Sequence, residues 1–319
     1  MEKMNKCMSN AQGAAVDAAT VAVKPVKTAV ILAAGMGSRM APATACTPKA
    51  LLPVGNKPAI NYLLEECAAA EIWDIVIVVN KGQKKLFKKY LTGRIKKSDY
   101  SDYTKNVGMK KWTELRKQFH FRFVCQRKWR DGVGPMGGIC AAKKMVGKGD
   151  FAVLMSDIIY PDDRHGLVPV VEIHDYQQKR ASQCSINFNF LGFSQSENPQ
   201  HYGVIYPFTI IDNNDDDDKF KNQYFFVDHI EEKPEKPDSK FVIAGRYIFN
   251  KQIFTDLHNL ENTENNHFNN EKILAEVLND IAYRTLAMRA GDTFYDIGNR
   301  RGFIAANAVL SRENQKEKE

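Results

Sequence analysis

The sequence predicts an α/β fold: a doubly wound core whose sheet is mixed and mainly parallel, carrying an inserted antiparallel section. Three observations predict it. The run KTAVILAA, starting at Lys27, is short, β-branched and apolar and leads into a glycine turn, as a buried strand does. A helical pattern and a second buried strand follow it, and this βαβ order demands parallel strands joined by a right-handed crossover. In the later part of the chain, strand patterns outnumber helical ones.

The elements follow in order. Prolines at 42, 48, 53 and 58 keep the chain extended until AINYLLEECAAAEI, from Ala59, whose apolar spacing fits a helix. WDIVIVVN is the next buried strand and KKLFKKYL the next helix. Strands are then expected at FHFRFVCQ, DFAVLMSD, QCSINFNFLGF, GVIYPF, YFFVDHIEE and KFVIAGRYIF, with helices at CAAKKMV and LVPVVEIHDYQQK. The last helical patterns, EKILAEVLNDIAY and GFIAANAVL, are suited to packing between subunits, so a homo-oligomer is expected. A chain of 319 residues, 44% hydrophobic, can bury one sizeable core. Residues 1–26 read as a flexible extension, 27–311 as the folded domain and 312–319 as a polar tail.

Composition narrows the classes. No stretch reaches the roughly 18 apolar residues of a membrane span, and the amino-terminal segment lacks the apolar block of a secretory signal, so no membrane partner and a cytoplasmic location are expected. The six cysteines are scattered without a Cys-x-x-Cys pair, which fits free thiols in a reducing compartment. The net charge is +7, yet residues 81–130 alone hold 17 Lys/Arg against three acids, so the remainder is acidic. A solvated helical face accounts for that run; steering of a polyanionic small substrate is the sharper alternative. Aromatics within it alternate like core strand residues, so no nucleic-acid partner is expected. NNDDDDK, from Asn213, lacks the sixth-position glycine of a calcium loop and reads as a solvent loop.

The turn AAGMGSRM, from Ala33, is the most informative stretch. Met40 stands where a dinucleotide fingerprint needs its third glycine, and the Gly-Lys-Ser/Thr of a P-loop is absent. What remains is Gly-x-Gly-x-Arg at the end of a first strand, where backbone N–H groups converge on phosphate and Arg39 adds a forked charge. Ten residues on, Lys49 sits in the proline-bounded TPKALLP, so a second cation reaches the same place if the segment wraps back.

These residues open a longer likeness. AVILAAGMGSRMAPATACTPKALLPVGNKPAINYLLEE resembles the amino-terminal signature of sugar-1-phosphate nucleotidyltransferases, and its Pro-Ala-Thr-x-x-x-Pro-Lys part is similar to bacterial-type UTP-glucose-1-phosphate uridylyltransferases (UDP-glucose pyrophosphorylases). DIVIVVNKGQKKL, FAVLMSDII, HYGVIYP, VDHIEEKPEKPDSKFVIAGRYIF and FYDIGNRRGFIAANAVL resemble further family blocks in the family's order. The resemblance implies a Rossmann-like nucleotidyltransferase fold. It also implies Mg²⁺-dependent attack of glucose 1-phosphate on the α-phosphorus of UTP, giving UDP-glucose and pyrophosphate.

Residue by residue, the resemblance gives Ala34, Gly35, Gly37 and Ser38 to the triphosphate loop, and Arg39 and Lys49 to its cationic arms. Asp157, which closes FAVLMSD at a strand end, and Asp296 in FYDIG would hold the metal. Glu232 and Lys233 of EEKP would take the sugar hydroxyls and the sugar phosphate, and Gly203 and Gly245 would let the backbone approach the sugar. Arg39, Lys49, Asp157 and Lys233 are thus the expected catalytic set. Gln126 and Gly132 would face the base. The following GVGPMGGI departs from the Gly-Leu-x-His-Ala of the uridylyl branch and looks nearer to relatives that transfer thymidylyl or guanylyl groups. Two alternatives therefore stand beside UTP: dTTP or GTP with another hexose 1-phosphate, and a non-catalytic regulatory protein that binds nucleotide sugars. No histidine spacing suggests a catalytic role.

Overall fold

A computed structural model describes residues 24–93, 107–127, 134–180, 188–210, 220, 222–257 and 273–316. Most of the expected extension 1–26, the loop from Asn213, and Gly132 lie outside the described residues. Thirteen strands occur among them: β1 (Thr28–Ala33), β2 (Pro53–Val54), β3 (Lys57–Pro58), β4 (Asp74–Val79), β5 (His120–Cys125), β6 (Phe151–Met155), β7 (Ile158–Ile159), β8 (Asn189–Gln195), β9 (Gly203–Ile210), β10 (Tyr224–Glu232), β11 (Phe241–Phe249), β12 (Thr285–Arg289) and β13 (Tyr295–Asp296). The helices are α1 (Ala59–Ala69), α2 (Lys84–Thr92), α3 (Val107–Gln118), α4 (Gly134–Ala142), α5 (Leu167–Arg180), α6 (Ile273–Asp280) and α7 (Arg300–Lys316).

Nine strands form one mixed sheet in the order β5-β4-β1-β6-β11-β8-β12-β10-β9. β5, β4, β1 and β6 run parallel to one another. Beyond β6 the pairings are antiparallel, except that β8 and β12 are parallel. β6 is therefore the seam between two kinds of sheet. The two faces carry separate cores. Ala29, Ile31 and Ala33 of β1 pack with α1, α2, α3, α5 and α7 on one side, while Val30 points into a second core with α4 and α6. Burial on both faces is why β1 and β4 read as unbroken apolar runs rather than alternating ones. Each fully buried Val, Ile or Leu contributes about 1.5–3 kcal/mol to this arrangement.

The sheet is mixed but not mainly parallel as expected, because every pairing beyond β6 except β8–β12 is antiparallel, and five elements depart from the sequence reading. α4 begins at Gly134, not at Cys140, because Pro135 at its first turn pre-sets the helical φ and Gly138 permits tight seating on β1. A Cβ on Gly138 would come within 2.8 Å of Leu32 Cδ2. α3 and β12 were not expected, and neither was the small β7–β13 ribbon. α7 runs to Lys316, across the expected boundary of the polar tail. In the basic segment, α2 buries Phe87 and Leu91 and turns Lys85, Lys88 and Lys89 to solvent, as expected of a solvated face. Among the described residues no helix is long and apolar enough to cross a membrane.

Candidate active site

A cleft of about 380 Å³ opens at the carboxyl ends of β1 and β6 and is closed on its far side by β9, β10 and β11. It is lined by Ala34, Gly35, Gly37, Ser38, Arg39, Lys49, Asp157, Gly203, Glu232, Lys233, Gly245 and Asp296, twelve of the fourteen residues singled out from sequence. Gln126 stands beside it, donating from Nε2 to the carbonyl of Gly134, which with Pro135 belongs to the wall. Gly132 lies outside the described residues.

The turn after β1 has two differently constrained glycines. Gly37 adopts φ +67°, and a Cβ there would meet Thr44 Cγ2 at 2.8 Å; Thr44 Oγ1 in turn donates to the Gly37 carbonyl at 2.8 Å. The fold itself therefore requires glycine at 37. At Gly35 a Cβ would meet no protein atom within 4 Å, so a demand for glycine at 35 would come from whatever occupies the cleft.

The extended proline segment does fold back. Lys49 opens a short 3₁₀ turn, and its ammonium donates to Asp157 Oδ2 at 2.6 Å, across 108 residues of sequence. Burial alone would raise the pKa of Asp157, but Lys49, its own backbone N–H and the more distant Arg39 outweigh burial and hold it below the ordinary carboxylate value. The β7–β13 ribbon sets Asp296 opposite Ile158 and thus next to Asp157, and the Ile297 N–H donates to the Asp157 carbonyl at 2.8 Å. Asp296 goes the other way: burial first, and then the charge of Asp157, raise its pKa against partial compensation by Gly298 and Asn299.

Gly298 was not singled out from sequence, yet it sits at the centre of this group. Its N–H donates to Asp296 Oδ1 at 2.7 Å, and Asn299 Nδ2 donates to Asp296 Oδ2 at 2.9 Å. A Cβ on Gly298 would lie 2.8 Å from Asp157 Oδ2, 2.8 Å from Asp296 Oδ1 and 3.3 Å from Lys49 Nζ. Glycine thus leaves open a space walled by two carboxylates and one ammonium. Among the described residues no cluster of three or more His, Cys, Asp or Glu could hold a metal by itself. Two carboxylates with room for water and phosphate oxygens suit Mg²⁺, which takes few protein ligands, rather than zinc.

On the opposite wall Lys233 has φ +51°, its N–H donates to the Tyr202 carbonyl at 3.0 Å, and its ammonium lies 3.0 Å from Glu232 Oε1. This backbone is unusual for lysine and aims the side chain into the cleft mouth. A Cβ on Gly203 would meet Ile243 Cδ1 at 2.9 Å, and one on Gly245 (φ +67°) would meet Ile158 Cγ1 at 2.9 Å. At both positions neighbouring side chains of the protein leave no room for a Cβ. Thr44, Tyr202, Gly298 and Asn299 were given no role from sequence, although all four lie inside the blocks quoted above, Thr44 as the threonine of Pro-Ala-Thr-x-x-x-Pro-Lys.

Cations and N–H groups on one wall, a carboxylate pair in the middle and a Lys–Glu pair opposite define a protein that brings two phosphate-bearing molecules together. The sequence pattern of the nucleotidyl transferase family matches residues 28–313, and the chain belongs to that family. It is 28% identical over 305 residues to a UTP–glucose-1-phosphate uridylyltransferase of Bacillus subtilis, covering 92% of this chain and 94% of that one. A protein of the same name from Mycoplasma pneumoniae is 29% identical over 297 residues, covering 88% and 91%. Among solved structures, apo UDP-glucose pyrophosphorylase superposes with a TM-score of 0.72 at 23% identity, covering 91% of this chain and 99% of that one. A UDP-glucose pyrophosphorylase complexed with UDP-glucose gives 0.70 at 23% identity, covering 90% and 99%.

Proposed function

We propose that this chain transfers a uridylyl group from UTP to glucose 1-phosphate, forming UDP-glucose and releasing pyrophosphate. The observation that carries the reading is the meeting of Lys49, Asp157, Asp296 and Gly298 in one cleft, facing Glu232 and Lys233. The names of the relatives supply the substrate class.

Two polyanions must be brought within bonding distance, so most of the work is charge neutralisation and alignment. Ala34, Gly35, Gly37 and Ser38 cradle the triphosphate with backbone N–H groups, while Arg39 and Lys49 neutralise it. Lys49 has to exchange Asp157 for phosphate oxygen as the nucleotide arrives. Lys233 holds the phosphate of glucose 1-phosphate, Glu232 accepts from sugar hydroxyls, and Gly203 and Gly245 allow the sugar to lie against backbone. Asp157 and Asp296 are the residues that would hold Mg²⁺, which supplies Lewis-acid neutralisation at the α-phosphate when bound. Gln126 faces the uracil, the role that the resemblance also gives to Gly132. The enzyme is cytoplasmic and homo-oligomeric on this reading, with residues 27–311 as its catalytic unit; exposed Ile304 and Val309 on α7 suit a subunit contact.

The test is initial-rate pyrophosphate release from UTP, dTTP, GTP or ATP with glucose 1-phosphate or mannose 1-phosphate, with and without Mg²⁺. UTP with glucose 1-phosphate and Mg²⁺ should give the highest kcat/KM. A higher value with dTTP or GTP reassigns the base, and no turnover with any pair refutes an enzymatic role.

A further inference from the structure

Glu66 in α1 and Arg246 in β11 form an ion pair whose two side chains are both fully buried. Arg246 Nε donates to Glu66 Oε2 at 2.7 Å and Nη2 to Oε1 at 2.6 Å, the fork-to-fork geometry that guanidinium alone provides. The second Nη2 hydrogen goes to the carbonyl of Ile158 at 3.0 Å, and Nη1 donates to the carbonyl of Gly245 at 3.1 Å, with that of Met155 at 3.5 Å. All five guanidinium hydrogens are therefore used. Glu66 is fixed in turn by the N–H of Leu167 at 3.0 Å, and glycine at 166 makes room for it.

The placement matters because none of these carbonyls is anonymous. Gly245 lines the cleft beside Gly203 and the Glu232–Lys233 pair, and Met155 and Ile158 flank Asp157. β11 slips register against β8 between Ile243 and Tyr247, and such an irregularity re-aims side chains. Here it accompanies an arginine turned inward, beneath the cleft floor. Removing the guanidinium would take a donor away from the Gly245 and Ile158 carbonyls, next to a side chain that is fully buried. A buried acceptor that loses its donor is penalised, so the backbone would move to satisfy it. The guanidinium donates to Glu66, Met155, Gly245 and Ile158 and to none of the cradle residues 34–39 after β1.

We infer that Arg246, locked by Glu66, is a positioning residue that holds the Gly245 backbone where glucose and its phosphate must lie, and that it does not set nucleotide affinity. This deepens the proposed function and rests on it. A buried ion pair replaced at both ends by apolar side chains of similar volume is often neutral or stabilising, whereas loss of one end leaves an uncompensated charge. The Glu66→Met/Arg246→Met double variant therefore separates positioning from folding.

The experiment titrates UTP and UDP-glucose into wild type and the double variant by calorimetry without Mg²⁺, alongside melting temperature and KM for each substrate. The expected result is a Kd for UDP-glucose raised at least tenfold, a KM for glucose 1-phosphate raised to match, and UTP affinity within twofold of wild type. A merely structural role would lower the active fraction and leave the ratio of the two affinities unchanged; that result overturns the inference. If the double variant does not fold, Arg246→Lys decides: it keeps the charge but not the five-donor fork, so the same ratio should shift several-fold, and an unchanged ratio refutes positioning. Wild type that binds neither ligand overturns the uridylyl-transfer reading itself, and the inference with it. Wild type that binds both, with an unaltered ratio in the variant, overturns the inference alone.

Discussion

Replacing Gly298 by alanine puts a single methyl group into the space between Asp157, Asp296 and Lys49. The new Cβ would lie 2.8 Å from one oxygen of each carboxylate, against 3.4 Å or more in ordinary contact, so each oxygen has to retreat by about 0.6 Å. An octahedral Mg²⁺ accepts oxygen ligands over a range of only about 0.1 Å, and a misplacement of about 1 Å at a reacting centre costs about a hundredfold in rate. A fall in kcat of about 30- to 100-fold is therefore expected, about 2–2.7 kcal/mol of barrier at 1.36 kcal/mol per decade. Stability should not follow. Gly298 does not occupy the left-handed region. Alanine at such a site stabilises through the unfolded chain by about 0.4–1 kcal/mol, which offsets the crowding. The assay is pyrophosphate release across a Mg²⁺ series, with a thermal melt of the same sample. A variant with kcat within threefold of wild type would refute the argument that this space is functional. A rate loss matched by loss of folded protein would refute the claim that the two effects separate.

Lys49→Met removes the ammonium 2.6 Å from Asp157 and should lower kcat by about 10²–10³-fold, comparable to loss of one strong transition-state donor, while circular dichroism stays native. His174 is buried on α5 between Asp150 and Asp175. Burial alone would lower its pKa, but these hydrogen bonds and charges raise it above 6.5. Its stabilising contribution is then full below about pH 6.5 and is lost as pH rises through the folded-state value. The denaturant-midpoint deficit of His174→Asn should accordingly be larger at about pH 6 than at about pH 9; equal deficits would refute this. Cys67 is fully buried and its thiol pKa is pushed up by that burial and then by Glu66, so a thiol reagent should label exposed Cys46 in the native protein and reach Cys67 only after unfolding.

What could be read in the sequence was local chemistry at strand ends. The glycine turn after β1, Asp157 after β6 and the Glu232–Lys233 step after β10 each announce themselves within a few residues, because a strand end in an α/β sheet is where side chains meet solvent and ligand. What could not be read was convergence. Gly298 is one more small residue until β13 pairs with β7 and sets two carboxylates around it. Arg246 and Glu66 are 180 residues apart, and nothing in either neighbourhood signals the other. β12 is five residues long and follows a helical pattern directly, too short for alternation to register. The first turns of α4 are hidden because glycine is a poor helix former, whereas Gly138 is needed for close contact with Leu32.

The seam at β6 has a consequence for how specificity could change. Gln126 and the α4 wall belong to the parallel half of the sheet, and Gly203, Glu232, Lys233 and Gly245 to the antiparallel half, with Asp157 at the join. On the proposed reading, base choice and sugar choice are modular. Grafting another family member's loop between β5 and α4 would exchange the nucleotide, and grafting the β9–β11 segment would exchange the sugar. Each graft would leave the other preference and the reaction centre in place.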